Sequence, residues 1–116
     1  MLKVYGIPNC NTVKKALDWL NQNKLPYEFH DFKKAGITKE KLQEWSAHFG
    51  WENILNTKGT TWAKLSEEDK LKINNKTAAI KYLMENTSAI RRPIIEAEGS
   101  YLIRFDEEQY EGLLKK

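Results

Sequence analysis

The chain has 116 residues, 41% hydrophobic and 30% charged, and its 19 Lys and Arg against 16 Asp and Glu leave a net charge of +3. That length suits one compact domain with a real core, and the mild, intermixed charge, without basic runs interleaved with aromatics, argues for a solvated surface rather than a nucleic-acid interface. No charged leader with an apolar core, no apolar run near the ~18 residues of a membrane span, and a lone cysteine that excludes an internal disulfide together give the expectation of a cytoplasmic protein without membrane contact.

Leu2, Val4 and Tyr5 read as a strand, Gly6 to Asn9 as loop punctuation, and Val13, Ala16, Leu17 and Leu20 fall on one face of a helix. Cys10, the single cysteine, therefore stands where a helix begins. The first turn of a helix leaves backbone N–H groups unpaired and directs the positive end of its dipole outward, which favours a thiolate. Lys14 and Lys15 add positive charge one turn on, and such surroundings move a thiol pKa from ~8.5 towards ~7 or below. The alternative is an inert cysteine buried in the core.

After this helix, Gln22-Asn23-Lys24 is a polar exit and Pro26 forbids further helix. Tyr27 to Phe32 alternates aromatic and polar residues as a strand does, so the first third reads as a βαβ unit with its strands parallel. His30 and His48 lack paired partners at zinc-site spacing and read as ordinary structural or surface residues.

The middle third reads as all helix. Thr38 is an N-cap, Ile37 and Leu42 are spaced as a hydrophobic staple, and the stripe Leu42, Trp45, Phe49 stops at Gly50, which predicts a helix over 38–49. Trp51 to Leu55 is one short turn and Asn56 to Thr60 is loop. Ser66 with Asp69 opens another helical run, and Asn75 to Glu85 gives a third, with Ala79, Ile80, Leu83 and Met84 on one face.

Arg91-Arg92-Pro93 ends the helical block, because the residue before proline is pushed out of helical conformation. Ile94 to Ala97 and Tyr101 to Arg104 read as a hairpin around Glu98-Gly99-Ser100. Asp106 caps a last helix, with Gln109 in the capping-box position and Phe105 and Tyr110 placed as a staple. The element order is βαβ, helices, ββα.

Three stretches in this order, Gly-Ile-Pro-Asn-Cys-Asn-Thr-Val-Lys-Lys-Ala at 6–16, Asn-Thr-Lys-Gly-Thr-Thr-Trp at 56–62 and Arg-Arg-Pro-Ile at 91–94, closely resemble the arsenate reductase (ArsC-like) family, and most closely its YffB-like branch. The resemblance runs essentially end to end. It implies an α/β, thioredoxin-like fold with a helical insertion between its halves: a single domain over 1–116, with a βαβ half at 1–34, the insertion at 35–90 and a ββα half at 91–116.

By the same resemblance Cys10 is the nucleophile, and three basic residues accompany it. Arg92 and Arg104 match two of them. At the third, the arsenate reductases carry arginine and this chain has Lys58, a point charge in place of a planar fork that grips an oxyanion through two parallel hydrogen bonds. Asn11, beside the nucleophile, and Pro93, whose bond to Arg92 is cis by resemblance, complete the expected site. Arg91 and Lys64 read as solvent-facing. The bland readings are that Arg92 caps carbonyls at the end of the preceding helix and that Arg104, in an alternating strand, forms a local salt bridge.

A dithiol enzyme needs a second cysteine, and the fourth position of the would-be C-x-x-C holds Val13. An adduct at Cys10 must then be resolved by an outside thiol. The expected function is a glutathione-dependent monothiol reductase with no bound cofactor and no metal, glutathione as co-substrate, glutaredoxin as a further donor and a monomeric chain. One alternative is arsenate reduction in the manner of the family; another is a non-enzymatic regulator resembling Spx, which binds RNA polymerase and senses oxidation through a C-x-x-C that Val13 removes.

Overall fold

The alternation of Leu2, Val4 and Gly6 with Lys3 and Tyr5 builds β1 (Leu2–Gly6), an inner strand of a four-stranded sheet ordered β2-β1-β3-β4. The structure, a computed structural model, describes residues 1–115. Two compact units divide the chain: Met1–Ala35 together with the chain from Arg92 on, and Gly36–Arg91.

In the first unit β1 leads into α1 (Asn11–Gln22), which returns to β2 (Tyr27–Asp31), parallel to β1 as the βαβ reading requires. The polar exit of α1 is made by Asn23, whose side-chain amide donates to the carbonyl of Trp19 at 2.8 Å, and by Lys24 with φ of 55°. Strand β3 (Ile94–Ala97) pairs antiparallel with β1 and with β4 (Ser100–Ile103). Their register sets Ala97 against Ser100, so the hairpin turns on Glu98-Gly99, with Gly99 at φ of 76°.

One core cluster of this unit joins Val4, Ile95 and Leu102 of the sheet to Ala16, Trp19 and Leu20 of α1 and to Tyr110 of α8 (Glu107–Leu114). Asp106 caps α8 by accepting from the Gln109 amide at 3.2 Å, and the Phe105 and Tyr110 rings meet edge to face at 5.1 Å, as the staple reading expected. On the strand face that carries Tyr5, the phenol donates to Glu96 at 3.0 Å, and the His30 ring lies 5.0 Å from it. His30 is thus partly buried among aromatics, a structural histidine.

The second unit is helical. Helix α3 (Lys39–Phe49) is capped by the Thr38 hydroxyl, which accepts from the Lys41 amide at 3.2 Å, and ends at Gly50 with φ of 88°. Single turns follow at α4 (Trp51–Ile54) and α5 (Thr60–Ala63). Ser66 caps α6 (Glu67–Lys72) and Asn75 caps α7 (Lys76–Glu85), each by accepting from an amide three residues on. Leu42, Trp45, Ile54, Leu55, Ala79, Ile80, Leu83 and Ile90 are buried. Among the described residues no helix is long and apolar enough to cross a membrane.

Five details depart from the sequence reading. Phe32 leaves the strand to open a helical turn, α2 (Phe32–Ala35), where the Asp31 carboxylate accepts from the Lys33 amide at 2.8 Å and turns the backbone. Thr60 begins α5 instead of ending a loop. Met84 is 41% exposed, since the buried face of α7 is narrower than its apolar stripe. Arg91 is half-buried, and its amide donates to the Ile54 carbonyl at 2.8 Å, so it belongs to the helical unit and not to solvent. Arg104 lies outside β4, with φ of 62°.

Candidate functional site

The site begins with a missing side chain. A Cβ on Gly6 would stand 2.9 Å from Val13 Cγ2, so the glycine at the end of β1 lets the first turn of α1 come down onto the strand. Val13 is fully buried there, and a β-branched residue in a helix has little rotamer freedom with which to yield. This contact fixes the start of α1, and with it Cys10. The Cys10 amide donates to the Ile7 carbonyl at 3.2 Å, its carbonyl accepts from the Lys14 amide at 3.0 Å, and its backbone is extended at φ −95° and ψ 125°. Cys10 is the N-cap of α1.

The thiol is half-buried and unpaired by any disulfide. Burial pushes its pKa up, and the Val13 amide, a hydrogen bond and the charge from the Arg92 guanidinium, and the Thr12 amide push it down; the net direction is below the ordinary value of 9.0. The sulfur makes no capping hydrogen bond of standard geometry, so the amides act on it at the longer range at which a large anion is still stabilised by convergent N–H dipoles. Lys14 and Lys15 are exposed; the cation acting on the sulfur is Arg92.

Arg92 precedes Pro93 through a cis peptide bond, and Pro93 is buried at the head of β3. Arg92 is half-buried and does more than end a helix. Arg104 is tied to the same place through its backbone: its amide donates to the Pro93 carbonyl at 2.8 Å, and its own carbonyl accepts from the Tyr110 hydroxyl. The Arg104 side chain is exposed, and so is Asn11, the first residue of α1.

Lys58 belongs to the helical unit, exposed in the loop before α5, where its amide donates to the Asn56 side chain at 3.0 Å. Two residues that shape the site carried no functional signal in the sequence. Gly6 read as punctuation, although a glycine ending a strand just before a helix is a signal of close backbone approach. Tyr110 read as an apolar staple, and nothing in the sequence announced the partner of its hydroxyl.

A mixed four-stranded sheet, with an N-capping cysteine on the first helix and a cis-proline at the head of the third strand, defines a thioredoxin-like protein. The ArsC family model matches residues 5–113, and the chain belongs to that family. An uncharacterized protein of Haemophilus influenzae is 41% identical over 112 residues, covering 97% of each chain. The solved YFFB protein superposes with a TM-score of 0.94 at 39% identity, over 98% of this chain and 99% of its own. An arsenate reductase (ArsC) related protein from Brucella melitensis gives 0.76 at 36% identity, over 99% and 95%. More distantly, the global transcriptional regulator Spx of Streptococcus agalactiae is 27% identical over 119 residues, covering all of this chain and 85% of its own.

Proposed function

We propose that this protein is a thiol-dependent reductase that works with one cysteine and is regenerated by glutathione. The observation that carries the reading is the Cys10 thiol: half-exposed, lowered in pKa by amides and by Arg92, with Val13 at the position a second cysteine would occupy. Kinship with ArsC-family proteins, one of them related to arsenate reductase, supports reduction as the reaction type.

The Cys10 thiolate attacks the glutathione sulfur of a mixed disulfide between substrate and glutathione. The substrate sulfur leaves as a thiolate and takes a proton from solvent. Cys10 is now disulfide-bonded to glutathione. A second glutathione thiolate attacks the glutathione sulfur of that adduct, glutathione disulfide departs, and Cys10 returns as a thiolate. Net, the mixed disulfide and one glutathione become the substrate thiol and glutathione disulfide, one disulfide exchanged for another. Arg92 holds the attacking sulfur ionised, and Arg92 and Arg104 offer cations to the carboxylates of glutathione. The test is turnover of a glutathionylated peptide with glutathione, which Cys10→Ser should abolish.

Two assays separate the alternatives. Arsenate turnover with glutathione and glutaredoxin, abolished by Cys10→Ser, would replace this reading with oxyanion reduction. Co-purification of RNA polymerase with the tagged protein would favour the regulator.

A further inference from the structure

Tyr110 carries a hydroxyl where the core asks only for a ring. It is fully buried, edge-on to Trp19 at 5.4 Å and to Phe105 at 5.1 Å, and a phenylalanine would make both ring contacts. Its hydroxyl donates to the carbonyl of Arg104. The amide of Arg104 in turn donates to the carbonyl of Pro93 at 2.8 Å, the residue joined by the cis bond to Arg92, which contacts the Cys10 sulfur. A chain of hydrogen bonds thus runs from the buried face of α8 to the edge of the thiol site, with Arg104 as its middle link.

Arg104 holds φ of 62°, the left-handed region, which a residue with a Cβ adopts only where its surroundings impose it. Glycine is the ordinary occupant of such a position. Arg104 is exposed, so no packing of its side chain compensates the backbone cost. What an arginine adds there is a positive charge on a backbone held one hydrogen bond from Pro93.

We propose that Tyr110 is a positioning residue: its hydroxyl holds the Arg104 backbone in the left-handed conformation, so that the guanidinium is presented beside Cys10 to the carboxylate of an incoming thiol. The thiol substrate class rests on the reductase reading above; the positioning itself is tested without turnover. Iodoacetate and iodoacetamide alkylate the same thiolate, each forming a carbon–sulfur bond and releasing iodide, and differ in that the first is an anion. The ratio of their rates at one pH therefore reads positive charge near Cys10 and cancels the thiol pKa.

Arg104→Gln should lower the iodoacetate-to-iodoacetamide ratio about two- to threefold, the order expected for removing one unit charge from the path of an anion in water-like surroundings. Tyr110→Phe should lower the ratio in the same direction with the iodoacetamide rate unchanged, and the double variant should fall no further than Arg104→Gln alone. An unchanged ratio in Tyr110→Phe or in Arg104→Gln, or additive losses in the double variant, would overturn the proposal. Arg104→Gly supplies a readout that does not need Tyr110→Phe to fold: it should raise the melting temperature while lowering the ratio as Gln does, and a lower melting temperature contradicts the proposal. A wild type inactive with glutathione would count against the reductase reading and leave these ratios as they are.

Discussion

The guanidinium of Arg92 lies within hydrogen-bond reach of the sulfur of Cys10, bringing the residue before the cis-proline to the last residue of the loop between β1 and α1. Its charge and its hydrogen bond both favour the thiolate, against a burial that favours the thiol. Arg92→Gln should keep a weak donor and lose the charge. The midpoint of Cys10 alkylation against pH should move upward, and the iodoacetamide rate at neutral pH should fall several-fold. Arg92→Lys should lie between, since a lysine keeps the charge and loses the fork.

Gly6→Ala tests how the site is held. A Cβ 2.9 Å from Val13 Cγ2 cannot stay without a shift of α1 away from β1. Such overpacking costs about 1–3 kcal/mol. Chemical denaturation should show that loss. Cys10 reactivity should also fall, because the amides of Thr12 and Val13 move with the helix. Gly6→Ala combined with Val13→Ala should recover most of both.

Val13→Cys tests the single-cysteine mechanism. Two cysteines three apart at the start of a helix lie within the 4.4–6.8 Å range of Cα separations typical of disulfides, about one helical turn. With a mild oxidant the variant should lose both free thiols without added mass, as an internal disulfide. Its dependence on glutathione should be replaced by dependence on a dithiol reductant. Replacing buried valine by a smaller side chain should cost about 1 kcal/mol.

Tyr110 predicts an alkaline limb of stability. Burial and then the Asp106 charge push its phenol far above the ordinary 10.0. In the unfolded chain it ionises near pH 10 while the folded protein keeps it neutral, so its contribution is fully present below pH 10 and is lost as pH rises beyond it. Denaturation midpoints should fall above pH 10. Tyr110→Phe should be less stable at neutral pH by about 1 kcal/mol, for the lost hydrogen bond to Arg104, and should lose less on going alkaline.

The features legible in the sequence are those whose cause is local. Thr38, Ser66, Asn75 and Asp106 each cap a helix through an amide three residues on, and Gly50 ends one with a positive φ, all readable from residue type and spacing. Cys10 at the start of α1 was equally readable. The four-residue helices α2 and α5 were not, because so short a turn has no periodicity to detect. The left-handed Arg104 depends on Tyr110 and Pro93, residues brought to it by the tertiary fold, and its alternation with Leu102 gave the appearance of a continuing strand. The cis bond at Pro93 was expected from family resemblance alone, since few X-Pro bonds are cis.

The central claim is that Cys10 is a nucleophile kept ionised by its surroundings, and the rate of its alkylation against pH, with and without glutathione, tests it most directly. The account predicts a midpoint below that of an unstructured cysteine peptide titrated alongside, and slower alkylation when glutathione occupies the site. A thiol that titrates like free cysteine and gains no protection from glutathione would contradict it.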